Sequence, residues 1–297
     1  MEVKPGVYYD MPEAEYRALP RLNYSLLADF NQSQDHALQV RQNQSYFEFG
    51  KAFELVIQDI SKDTRLFYDR FFVSQIRGEM PKGVAEWIES EADLSNKYNL
   101  NKDGSRSKVS ARLHEWLDAC IDNPGKMPMS QIEYDQLCIM AWNFLDMHIY
   151  GHPLYEILPV AEFQVPIVWE INGIAKKALV DVLIETDLKT YTFDIKTSVS
   201  LSNHFTNFKK MLRSRYWIQD IHYSEGIKAT CKNPMPFMFL VSSKSEPFLA
   251  QPFGLDPDSR IDAEQAYSSL CYDFAEWDKS GRPPKGWKEY EEIKLYF

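Results

Sequence analysis

"AEFQVPIVWEINGIAKKALVDVLIETDLKTYTFDIKTS", residues 161–198, is the stretch whose reading decides the fold. Asn172-Gly173 sits between two apolar runs, and that dipeptide suits a two-residue hairpin because both turn positions need positive φ. "TDLK" at 186–189 closes a second turn, so the stretch predicts three antiparallel strands in a meander. Period-two alternation places Thr192, Asp194 and Lys196 on one face of the last strand, with Phe193 and Ile195 on the other. In the middle strand it places Val180, Val182 and Ile184 on one face and Asp181 with Leu183 on the opposite one. Asp181 is then expected beside Asp194 across the second turn.

Two adjacent carboxylates repel, and a cation between them removes that cost. Asp181, Asp194 and Lys196 form the pattern D-x12-D-x-K. An isolated D-x-K is most often a surface ion pair worth little. Set in "ALVDVLIE" and "YTFDIKT", the pattern instead resembles the PD-(D/E)xK nuclease signature. In that reading the aspartates and the Ile195 carbonyl hold Mg²⁺ or Mn²⁺ through hard oxygens. The metal acidifies water and offsets phosphate charge, and Lys196 orients the water or stabilises the transition state.

The rest of the chain sets bounds. It has 297 residues, 44% hydrophobic, enough for one large domain or two small ones. The opening "MEVKPGVYYD" lacks a signal-peptide layout and no apolar run is long enough to span a bilayer, so a cytoplasmic protein is expected. The cysteines at 120, 138, 231 and 271 form no CxxC pair, which argues against zinc and iron–sulfur sites. A net charge of -10 argues against coating nucleic acid by bulk electrostatics but leaves a local basic groove open. That groove has one compact candidate, "FKKMLRSRYW" (208–217), in which Lys209, Lys210, Arg213 and Arg215 could contact phosphates. No P-loop, GxSxG or GxGxxG occurs.

Helical patterns are expected at 23–42 (with Asn23 or Ser25 as N-cap), at 47–59, from Ser130 to about Tyr150, as two helices joined near 213–215, and at 258–281. Residues 1–20 read as irregular and 96–110 as a surface loop. Further strands are expected at 235–243 and 247–253. The order predicts an α/β (α+β) fold: one domain over 1–297, with a mostly helical portion to 150, a mixed sheet over 160–255 containing the meander and flanked by helices, and a C-terminal helix and tail.

The resemblance extends along roughly residues 6–290. "GVYYDMPEAEYRALPRLNYSLLADF" (6–30) is similar to the opening of the RecE-type phage and prophage exonucleases (the exonuclease VIII nuclease domain), a RecB-like PD-(D/E)xK branch with a restriction-endonuclease-like core. "FEFGKAFELVIQD" (47–59), "DRFFV" (69–73) and "NPGKMPMSQIEYDQLCIMA" (123–141) fit its helix, strand and linker segments, and "YWIQDIHYSEG" (216–226) fits its Q-x3-Y helix. The resemblance implies a metal-dependent exonuclease, 5′→3′ on linear double-stranded DNA ends, leaving 3′ single strands for phage-type recombination. It further implies a single-strand annealing partner of the RecT type, a homotetramer, and a bacterial host cytoplasm. It gives Gln219 and Tyr223 catalytic roles and Ser25 a DNA contact. Two positions depart from the pattern. Glu54 stands where the family has a histidine ligand and is expected to bind the metal through its carboxylate; Gln164 stands where it has a first-strand glutamate and is expected to offer its carbonyl oxygen, with Glu162 on the same strand face able to serve instead. Those departures keep two alternatives open: a catalytically impaired DNA-end-binding or assembly module, and an endonuclease or single-strand nuclease on the same scaffold.

Overall fold

The structure, a computed structural model, describes residues 3–39, 45–76, 115, 116, 118–199 and 205–283. The polar stretch at 96–110 lies outside them. The chain divides into two units, one comprising 1–44, 148–152 and 156–297, the other 45–147 and 153–155.

In the first unit a six-stranded mixed sheet runs in the order Gly6–Val7, Glu162–Ile171, Ile174–Glu185, Thr190–Ser198, Met238–Ser243, Ala250–Phe253. Every neighbouring pair is antiparallel except Thr190–Ser198 with Met238–Ser243, which is parallel. The expected meander is its centre. Asn172 and Gly173 take φ of 54° and 73°, as the tight hairpin requires. The parallel pair needs a crossover, and the helical run from Thr206 to Thr230 supplies it.

That run corrects one expectation. Residues 212–216 do not separate two helices; they form a π turn that carries Thr206–Met211 directly into Trp217–Thr230. No proline or glycine lies between 206 and 225 to break the ladder, so the polar "RSR" widens the helix instead of ending it. Trp217–Thr230 is buried nearly all round, including Gln219, Asp220 and His222. One side packs on the sheet through Trp169, Val180, Leu183, Tyr223, Ile227 and Phe239. The other meets Tyr24–Gln32 and the long helix Pro257–Lys279 through Leu27, Ile218, Ile221, Tyr267 and Phe274. Gly226 permits this approach: a Cβ there would stand 2.7 Å from the Trp169 ring. The N-terminal stretch, read as irregular, forms the short edge strand and the helix Glu13–Ala18.

Alternation fails at one place. Val180 and Leu183 join the same core cluster, so the strand does not keep Val180, Val182 and Ile184 together opposite Leu183. The change of face falls at Asp181, opposite Gln164, whose φ is 53°. A left-handed residue in a strand interrupts the pleat for both partners.

The second unit holds the helix Ser45–Lys62, the short helix Leu66–Arg70, a parallel strand pair, Phe71–Ser74 with Met127–Ser130, and the helix Gln131–Leu145. A capping box between Ser130 and Glu133 starts the last of these, and Phe53 packs edge-on against Phe144. No helix among the described residues is long and apolar enough to cross a membrane.

Candidate active site

The strands part at one row of residues. Between the Gln164 and Asp181 strands the ladder runs through Glu162↔Leu183 and Phe163↔Val182, omits Gln164 and Asp181, and resumes at Val165↔Val180. Between the Asp181 and Asp194 strands it runs from Glu185↔Thr190 to Val182↔Phe193 and stops. The next position in that register sets Asp181 opposite Asp194. Side chains replace the missing ladder bonds. Asp181 accepts through Oδ2 from the Ile195 N–H at 2.9 Å and through Oδ1 from Gln164 Nε2 at 3.0 Å. With no ladder pairing at this row, Asp181 is held through its side chain, in register with Asp194.

Asp194 is only 2% exposed. Its Oδ1 accepts from Gln219 Nε2 at 2.5 Å, and its Oδ2 meets the Lys196 ammonium in an ion pair. Gln219 Oε1 is buried with no hydrogen-bond partner among the described residues. Burial is the largest single influence and disfavours the Lys196 ammonium, but Asp194, Tyr24, Asp181 and Tyr216 together outweigh it and hold the amine well above the ordinary lysine range. Lys196 is therefore a donor and a positive charge, not a base. Its Nζ lies 5.5 Å from the centre of the Tyr216 ring, a cation–π contact presented by the end of the π turn. Tyr223 packs edge-on against Tyr24 at 5.8 Å and donates to the Leu179 carbonyl at 3.0 Å, and burial pushes its phenol well above the usual value.

The structure thus brings Asp181, Asp194, Lys196, Gln219, Gln164 and Tyr223 together, and adds Tyr24 and Tyr216. These last two come from distant segments, and no local pattern announces them. Glu162 is exposed, opposite Leu183, where its charge acts on the Tyr9 phenol. Glu54 belongs to the second unit and pairs with Lys51 at 3.2 Å. Asn23, not Ser25, caps the helix Tyr24–Gln32; Ser25 sits in its first turn. Of the basic stretch, Lys209, Lys210 and Arg213 are exposed, whereas Arg215 is tied to Asp29 at 2.9 Å.

Among the described residues no three His, Cys, Asp or Glu side chains gather as a closed metal cage. The donors at the strand opening nevertheless suit one cation. Two carboxylates and one ammonium leave a formal charge of minus one, and the available atoms are hard oxygens. Mg²⁺ is characteristically held by one or two carboxylates, its shell completed by water and phosphate rather than by protein.

No family model matches the chain, and no curated protein matches it. Among solved structures it is similar to a crystal structure of a candidate exonuclease from Eubacterium rectale, at 13% identity and a TM-score of 0.43, covering 93% of this chain and 86% of that one. A likeness this loose transfers no residue, and the assignments above rest on the geometry of this chain.

Proposed function

We propose that the chain is a metal-dependent deoxyribonuclease with a PD-(D/E)xK-type site that hydrolyses phosphodiesters from the ends of linear double-stranded DNA. The observation that carries the proposal is the register: Asp181 and Asp194 stand opposite each other where two strands part, with Lys196 bonded to Asp194. Asp181, Asp194 and the Ile195 carbonyl would hold Mg²⁺, with Mn²⁺ as a substitute, which would supply positive charge against the phosphate and acidify water. Lys196 brings a fixed ammonium to the same opening, where it stabilises negative charge on a phosphate oxygen. Gln219 fixes the Asp194 carboxylate through one amide hydrogen and keeps a buried carbonyl oxygen for a water or substrate donor. Tyr216 faces the Lys196 ammonium, and Tyr24 packs edge-on against Tyr223. The 5′→3′ direction, the 3′ single-stranded product, the RecT-type partner, the tetrameric ring and the phage setting belong to the same proposal and are supported by the motif resemblance alone.

A second reading has its own observation. Gln164 carries no charge and donates to Asp181, so this row holds fewer acids than a cutting site would use, which suits a chain that binds DNA ends without cutting them. One comparison separates the readings. With Mg²⁺, linear duplex should be digested and a covalently closed circle of the same sequence spared, and a chelator or Asp194→Asn should stop digestion. Retention of intact linear DNA by the wild type would favour the binding module. Cleavage of the circle would favour an endonuclease.

A further inference from the structure

We infer that Gln164 is a positioning residue for Asp181, acting as a hydrogen-bond donor and not as a metal ligand. This deepens the nuclease reading above and rests on it for its functional meaning. A carboxylate only accepts hydrogen bonds, so the Gln164 amide can face Asp181 Oδ1 at 3.0 Å only through its N–H₂ group. The Ile195 main-chain N–H holds the other oxygen at 2.9 Å. Asp181 is thereby clamped from the strand on each side, one donor per oxygen, and each oxygen keeps a lone pair for a further contact. A glutamate at 164 could not make this clamp, because it would set a third negative charge against Asp181 with no hydrogen to donate.

The backbone supports the same conclusion independently. Gln164 sits at φ 53° as the third residue of a ten-residue strand, a conformation that costs energy for any residue with a Cβ. Its interruption of the ladder falls opposite Asp181, and the register is identical on both sides of the gap. Strain held at a functional carboxylate, where a glycine would relieve it, marks a side chain retained for what it touches.

Two substitutions test this. Gln164→Asn keeps the amide and tolerates the left-handed backbone but is one methylene too short to reach Asp181. Gln164→Gly removes the strain and the donor together. In metal-free protein the Ile195 amide should exchange roughly tenfold faster in both variants, the worth of one hydrogen bond to a charged acceptor, because Asp181 no longer stays in place to receive it. Mn²⁺ affinity, measured by titration without DNA, should fall at least about tenfold in both. The melting temperature of Gln164→Gly should be unchanged or higher. Wild-type exchange at Ile195 in both variants would overturn the inference whatever the metal does. Accelerated exchange in a protein whose wild type takes up no Mn²⁺ would leave the positioning role standing and remove the nuclease reading instead.

Discussion

Gly226→Ala is a single added methyl with a computable consequence. The new Cβ would lie 2.7, 2.8 and 2.9 Å from three carbons of the Trp169 ring. The ring cannot swing aside: it is fully buried, and its Nε1 donates to Glu225 at 2.8 Å. The helix Trp217–Thr230 must then lift from the sheet by about 0.7 Å, the gap between 2.7 Å and the 3.4 Å at which ordinary contact begins. Overpacking of this kind costs about 1–3 kcal/mol, and alanine's better helix propensity returns about 1 kcal/mol. The expected net loss is about 0–2 kcal/mol. The same helix carries Gln219 two turns away, bonded to Asp194. Since about 1 Å of misplacement costs on the order of 10² in rate, digestion of linear duplex should fall at least about tenfold while the protein stays folded. Thermal melts and initial rates of nucleotide release measure the two effects together. Adding Trp169→Leu should restore part of the rate, giving a favourable coupling between the two sites. A Gly226→Ala protein with full activity and an unchanged or raised melting temperature would refute the claim that this contact sets the helix against the site.

Two further predictions concern what holds the helix in place. His222 is buried between the Lys177 carbonyl, which accepts from its Nε2, and the Tyr267 hydroxyl, which donates to Nδ1, with Lys176 and Glu225 alongside. Burial lowers its pKa from 6.5 to about 3, so below pH 6.5 the unfolded chain binds a proton that the folded chain refuses. Stability should be full above about 6.5 and fall toward pH 3 by up to about 1.4 kcal/mol per unit, and urea midpoints at pH 7.5 and 5.0 should drop less in His222→Gln than in the wild type. Lys177 donates to the carbonyls of Tyr16, Arg17 and Leu19 at 2.9, 3.0 and 2.9 Å and so closes the end of the helix Glu13–Ala18. Lys177→Met should cost about 3 kcal/mol in denaturant unfolding, and a loss below about 0.5 kcal/mol would show those carbonyls satisfied by water.

Much of this was legible before any coordinates. The meander follows from Asn172-Gly173 and from period-two alternation, and the carboxylate pair follows from counting outward from the turn at 186–189. What escaped has physical reasons. Glutamine is not a marker of positive φ, so nothing at Gln164 announced the break that returns Val180 to the side of Leu183. Lys176 and Lys177 follow the hairpin turn closely, and both are buried, one against Glu225 and Tyr267 and the other on three carbonyls. Their partners lie more than 45 residues away in sequence, beyond the reach of local patterning. Tyr24 and Tyr216 reach Lys196 for the same reason: tertiary packing, not spacing, brings them there.

The central claim is that Asp181, Asp194 and Lys196 form one hydrolytic site. Its most direct test is the initial rate of nucleotide release from end-labelled linear duplex with Mg²⁺, compared between wild type and Asp194→Asn of equal melting temperature. The wild type should release nucleotides steadily and the variant should lose on the order of 10³-fold, the scale on which removing one preorganised charge contact acts. Equal rates in the two proteins would contradict it.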